Sequence, residues 1–197
     1  MKSRDGERAE RSWASRFLRN LLLWAVPVTL VWILLTPYYN RFLTVSAERL
    51  LRLTESPAAT GLTLSDRHFA VVTRADLSAA RGYLYRIRVS DIHFNWLMLG
   101  TFFLAVPGVT FRRRLGNLGW AALATVCFHI VSLFLFVKFV YATQLASWSL
   151  AQYGAAARET WGMAKHVFDL PLKFAWPFLL WAGFYLRAFF ASSDPSR

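Results

Sequence analysis

Residues 83–107 read YLYRIRVSDIHFNWLMLGTFFLAVP, and the character of the chain changes halfway along them. Tyr83, Tyr85, Ile87 and Val89 alternate with Leu84, Arg86, Arg88 and Ser90, the period of two that a half-buried strand requires. From Asn95 to Phe111 no charged residue follows, and the run is apolar and aromatic. A charged strand therefore leads, with no flexible linker, into a segment fit for a lipid interior. That junction predicts a strand platform fixed directly to a membrane span.

The rest of the composition agrees with a membrane setting. The chain has 197 residues and is 56% hydrophobic, more than an ordinary soluble domain carries. Its 23 Lys+Arg against 11 Asp+Glu leave a net charge of +12. The cations flank apolar runs instead of gathering in one patch, and no nucleic-acid motif accompanies them. Membrane lipids, and not nucleic acid, are the expected partners of that charge. The single cysteine, Cys127, excludes an intramolecular disulfide and a Cys-based zinc cluster.

Four windows have the roughly 17 to 25 apolar residues of a transmembrane helix. They cover residues 20–36, 95–111, 115–137 and 174–191, with the basic turn 112–114 making the middle two a tight hairpin. Trp24, Trp96, Trp120, Trp176 and Trp181 lie at or near the span ends, the level that an apolar ring with one polar N–H prefers. The basic tail 1–19 and the triple arginine fall on one side of four spans, which predicts cytoplasmic termini in a cell (inner) membrane. The arginine-rich segment 37–94 is long and interleaves acids, so it sets orientation weakly. The small residues at 45–47 hint at a cleaved signal sequence, but the apolar core is long and they lie far downstream of it; an uncleaved anchor is expected.

The expected fold class is thus a mainly α integral membrane protein, with four transmembrane helices and a small extracytoplasmic α+β element. In residues 37–54, Leu43, Ala47, Leu50 and Thr54 recur at helical spacing and predict an amphipathic surface helix. Residues 55–61 form a turn-rich break. Strands over 62–73 and 83–93, joined by RADLSAARG (74–82), predict an antiparallel pair that needs something to pack on. Residues 138–173 read as an extracytoplasmic helical segment that either prolongs span three or folds back at Gly154. Residues 192–197 read as a tail.

Ionisable groups in or beside a span are expensive and mark candidate sites. Asp91, His93 and Asn95 alternate at the strand-to-span junction, and His166 and Asp169 precede span four, where the Pro171 break can bring the two groups together. Asp and His supply acid–base capacity, which makes Asp91, His93 and His166 the catalytic candidates; Asn95 is placed to cap a helix. A metal set from the two histidines and two aspartates has no recognised spacing. No phosphate loop, serine elbow or HExxH motif occurs, so no cofactor is implied. Within span three His129 is the polar group expected to bond a neighbouring helix, Cys127 shares no face with it, and Lys138 at the outer end can snorkel. Arg86 and Arg88 project from one strand face and, with Asp91, His93 and Asn95, form the candidate partner-binding surface.

The layout resembles part of the exosortase/archaeosortase family, multi-span membrane cysteine transpeptidases that process C-terminal sorting signals. RRRLGNLGWAALATVCFHIVSLFLFVKFVYA (112–142) looks like that family's arginine-initiated span, and KHVFDLPLKFAWPFLLWAGFYL (165–186) looks like its His-preceded final span. The family's nucleophilic cysteine has no counterpart here: Asn95 stands at the corresponding span start, and His129 at best matches the family's intramembrane arginine. Of the family's pattern His166 alone fits. Without a thiolate the covalent step has no nucleophile. The chain looks more like a small membrane protein associated with an exosortase (exosortase H). The resemblance implies a non-enzymatic accessory protein of bacterial envelope sorting or export, with an exosortase-like integral membrane protein as partner. The alternatives are an enzyme using the Asp/His cluster at the outer surface, or a small subunit of a transport complex.

Overall fold

The computed structural model describes residues 4–56, 58–77 and 82–191, with side chains described between 12 and 186. The expected tail 192–197, the start of the basic tail and part of the 74–82 linker lie outside the described residues. The molecule is mainly helical with one small sheet, and it divides into two compact units. The first comprises Met1–Leu34, Asn95–Thr125 and Phe174–Arg197; the second comprises Leu35–Phe94 and Val126–Lys173.

Helix α1 runs unbroken over Arg4–Thr54, 51 residues. The expected first span and the expected surface helix are therefore one element. Pro37 reads as a stop because proline removes a backbone donor and crowds the preceding turn, yet the helix continues through both Pro27 and Pro37. Beyond Pro37, Leu43, Ala47 and Leu51 form a fully buried stripe in the second unit's core. That stripe packs in protein, with Leu51 in the place expected for Leu50.

The sheet has three antiparallel strands in the order β1-β2-β3: β1 (Thr60–Ser65), β2 (Phe69–Arg74) and β3 (Tyr85–Arg88). The single run expected over 62–73 is a hairpin with Ser65 opposite Phe69. Its turn uses Asp66 (φ 54°) and Arg67 (φ 62°), left-handed positions filled without glycine. Leu62, Ala70, Val72 and Ile87 turn inward to meet the α1 stripe and Leu133, Val137 and Tyr141. The three-residue 3-10 turn Val89–Asp91 follows β3.

Helix α2 covers Trp96–Ala105, ten residues and so about 15 Å, half of a bilayer's apolar thickness. The second expected span is not a continuous helix over 95–111. Pro107 biases its predecessor to extended backbone, and Val106 sits at ψ 116° with Gly108 at φ 78°. The turn thus precedes the triple arginine, which belongs to the first turns of α3 (Phe111–Thr143). Helix α3 passes the expected end at 137, and the chain then breaks twice: α4 is Ala146–Gln152, and α5 (Ala155–Val167) restarts after Gly154. A π-helical turn, Phe168–Leu172, holds Pro171 and leads into α6 (Lys173–Ala191).

Four spans were expected; among the described residues two helices are long and apolar enough to cross a membrane, Ser12–Thr54 within α1 and Phe111–Thr143. The first unit is built on Leu99, Phe103, Val106, Ala121 and Tyr185. Asn20 donates to the Ala105 carbonyl at 3.1 Å, and Arg114 donates to the carbonyls of Leu104 (2.7 Å) and Val109 (2.8 Å), closing the end of α2. Gly100 lies against Val28, where an added Cβ would come within 2.9 Å of a methyl, so a small residue sets the approach of α2 to α1. Phe17 and Trp24 also meet Trp181 and Phe111, but much of the remaining apolar surface of α1 in the first unit is exposed: Leu22 is 65% and Leu34 71% exposed.

Candidate functional site

The second unit gathers Glu55, Arg74 and Lys138 into a largely buried network. Glu55 sits one residue past α1, Arg74 ends β2, Lys138 is on α3, and Tyr153 follows α4. Lys138 Nζ contacts Glu55 Oε1, which also accepts the Tyr153 hydroxyl at 2.8 Å; Arg74 Nη1 lies 3.4 Å from Glu55 Oε2. Arg74 also clasps Asp76 through two bonds of 2.9 Å, Nε to Oδ1 and Nη2 to Oδ2. Its guanidinium stacks over the rings of Trp148 (4.4 Å) and Tyr141 (4.9 Å), and the Lys138 ammonium sits 4.9 Å over Trp161. Burial pushes the Glu55 carboxyl up, but the Lys138 and Tyr153 hydrogen bonds and the charges of Lys138 and Arg74 outweigh it and hold the group below its ordinary range. Lys138 therefore does not snorkel outward; at 6% exposure it locks α3 to the end of α1.

A second polar group centres on Asn40 of α1, which is fully buried. Its Nδ2 donates to the Arg67 carbonyl at 2.8 Å and so pins the left-handed hairpin tip. That assigns Oδ1 as acceptor toward His93 Nε2 at 2.7 Å, and His93 must carry its hydrogen there. Burial lowers the His93 pKa to about 4, which keeps the ring neutral at ordinary pH. Tyr39 packs edge-on to His93, and its hydroxyl shares a 2.8 Å hydrogen bond with His129 Nδ1. The mid-helix histidine of α3 thus bonds a neighbouring helix.

The third group is Lys165–Asp169–Lys173, spaced by four residues across the π-helical turn. Each ammonium is 2.9 Å from a different oxygen of Asp169, and Lys173 Nζ also donates to the Asp91 carbonyl at 3.2 Å. Burial raises the Asp169 pKa, but the hydrogen bonds and charges of both lysines outweigh it, so its carboxyl stays below the usual range.

The sequence-derived catalytic candidates do not converge. His93 is inside, bonded to Asn40; Asp91 is exposed with its carboxylate 3.5 Å from Arg88; His166 stands edge-on to Phe139 at 5.7 Å. Among the described residues no group of three or more His, Cys, Asp or Glu is placed to hold a metal. Asn95 occupies the N-cap position of α2 without a side-chain capping bond. Arg86 and Arg88 do share the exposed face of β3, but both are engaged: Arg86 bonds Asp66 at 2.7 Å and lies 3.9 Å over Phe69, and Arg88 pairs with Asp91. The residues that sequence reasoning passed over are Asn40, Glu55, Arg74 and Tyr153. Glu55 carried a usable signal, an isolated acid directly after a long helix in an acid-poor chain. No protein-family model matches the chain, and no characterised protein or solved structure does either.

Proposed function

We propose that this chain is a multi-pass inner-membrane accessory protein that presents its sheet to a partner on the extracytoplasmic side. The observation that carries the reading is the exposed apolar surface of α1, where Leu22, Leu23, Val26, Leu30, Val31 and Leu34 are each more than half exposed. Apolar surface of that extent is covered by lipid or by other helices. The positive-inside argument orients the basic tail and Arg112–Arg114 end inward, with both termini cytoplasmic. An accessory role is favoured over catalysis because His93, Asp91 and His166 occupy three separate settings, each with its own neighbours. The family resemblance supplies the partner class, an exosortase-type enzyme.

The test combines topology with capture. The chain should stay in membranes through an alkaline wash, with a reporter after Arg197 cytoplasmic and one within residues 66–76 extracytoplasmic. A co-expressed exosortase-type enzyme should co-purify, and Arg86→Gln with Arg88→Gln should weaken that capture while insertion persists. Release by alkaline wash sinks the membrane reading; undiminished capture by the double variant removes the sheet face as the docking surface.

A further inference from the structure

The sheet has two outer edges, and they differ. That of β1 is covered: Thr60 and Leu62 are buried, and the Thr60 N–H donates to the Ser56 carbonyl at 3.1 Å. That of β3 is open, with Arg86 and Arg88 both exposed. The ladder fixes what the open edge offers. Val89 N–H donates to the His68 carbonyl at 3.0 Å, and two residues back Ile87 stands opposite Ala70. Bonded and unbonded residues alternate along an antiparallel pair, so Arg86 and Arg88 turn their backbone N–H groups away from β2. Among the described residues no hydrogen bond reaches either N–H or the Arg86 carbonyl. Unpaired backbone groups on an exposed edge are a template for a further strand.

The side chains of that edge select among strands. A second copy of β3 laid antiparallel would set arginine against arginine, and like charges directly opposite are unfavourable. A strand with acids at those places meets opposite charge instead. Asp66 and Asp91 already pair with Arg86 and Arg88, but both partners of each pair are well exposed, and such pairs contribute little. Each guanidinium also keeps further N–H donors for an incoming carboxylate. Between the arginines Ile87 is packed inward, so a residue opposite it turns to the apolar side of the sheet, where Tyr85 lies 6.2 Å from Phe136. We infer that the free edge of β3 takes up an extended peptide strand bearing two acidic residues two positions apart, with an apolar residue between them. Backbone bonds to Arg86 and Arg88 hold the strand, and its side chains give the selectivity. The inference rests on the reading of the sheet as a docking element, and not on which protein supplies the strand.

The full chain in a neutral detergent is titrated with a dye-labelled, end-capped Thr-Glu-Val-Glu-Thr peptide. Two companions are the same peptide with lysine for both glutamates, and the glutamate peptide methylated at both glutamate nitrogens. Binding is read by fluorescence anisotropy, and residue-resolved hydrogen exchange follows the backbone amides. A chain of net charge +12 attracts acids at many places, so charge preference alone does not count. The glutamate peptide should bind at least about fivefold more tightly than the lysine one. It should also slow exchange at the Arg86 and Arg88 amides. Methylation keeps the charge but removes the donor to the Arg86 carbonyl, and should weaken binding at least about fivefold. Arg86→Pro removes an N–H that the ladder does not use, a change an edge strand tolerates, and should weaken binding more than Arg86→Gln, which keeps it. Should Arg86→Pro fail to fold, the methylated peptide makes the same comparison on the unaltered chain. Equal binding of methylated and unmethylated peptides, unchanged exchange at Arg86 and Arg88, or no binding at all overturns the proposal. Capture of the exosortase-type enzyme is scored separately. Peptide binding without capture removes that partner and leaves the edge; capture without peptide binding keeps the docking face and removes strand addition.

Discussion

The two units solve opposite problems. Across residues 12–34, 95–125 and 174–186 of the first unit there is no acidic residue and no histidine, and its core is apolar and aromatic. The second unit holds all four histidines and closes its core with ion pairs and directed hydrogen bonds. Packing by shape tolerates apolar surroundings on every side. A small sheet, by contrast, buries too little area to be specified by shape alone, and polar contacts of fixed direction supply its register. Disturbances of charge should therefore damage the second unit and leave the first in place.

The largest such effect is expected at Glu55. Glu55→Ala leaves Lys138 buried beside an empty position and should cost about 3–5 kcal/mol, the range for an orphaned buried charge. Region-resolved hydrogen exchange on the full chain should show lost protection in β1–β3 and α3 beyond Val126, with α2 unchanged. Adding Lys138→Met to Glu55→Gln should recover most of the loss. Equal loss of protection in α2 would show that the contrast between the units is not energetic.

Acid is the next perturbation. His93 is neutral in the fold with its pKa near 4, against an ordinary 6.5, so the unfolded chain takes up the proton first as pH falls. Its contribution is complete above pH 6.5 and is lost as pH falls toward 4, up to ~3 kcal/mol. Glu55, held below its ordinary 4.5, adds a loss that begins near that value and continues below it. Thermal midpoints measured from pH 7 to pH 4 should fall, and His93→Gln should make the portion between 6.5 and 4 shallower. A flat profile in the unaltered chain would contradict the assignment.

The smallest effect belongs to Cys127, which is exposed on α3 and anchors nothing in either core. Cys127→Ser should change stability by less than about 0.5 kcal/mol, as substitutions away from packed or paired positions do. Loss of function at normal abundance would instead point to chemistry at the thiol.

The mainly helical class was legible in the sequence, and two of the four expected spans fall on helices long and apolar enough to cross a membrane among the described residues. The alternation from Tyr83 to Val89 likewise placed Ile87 inward and Arg86 and Arg88 outward. The errors share a cause, local punctuation overruled or unseen. Pro37 read as a stop, but the stripe Leu43–Ala47–Leu51 continues one helix past it. The hairpin between Ser65 and Phe69 was invisible because Asp66 and Arg67 adopt left-handed angles that usually mark glycine or asparagine. Conversely, Val106-Pro107-Gly108 is a turn signal that the apolar composition of 95–111 obscured. The polar sites were the least legible. Asn40 meets His93 across 53 residues, and no periodicity relates positions so far apart.

The Glu55 network also carries a consequence for the order of biosynthesis. The carboxylate's first partner, Arg74, follows 19 residues later, but Lys138 and Tyr153 are 83 and 98 residues downstream. As a ribosome adds residues from the N-terminus, β1, β2 and β3 are all translated while two of the three groups that hold Glu55 do not yet exist. The sheet's strands come early and the bolt that secures them comes late. Until Lys138 is made, Arg74 is the one cation of this network that the growing chain can offer Glu55, and the Tyr153 hydrogen bond comes later still.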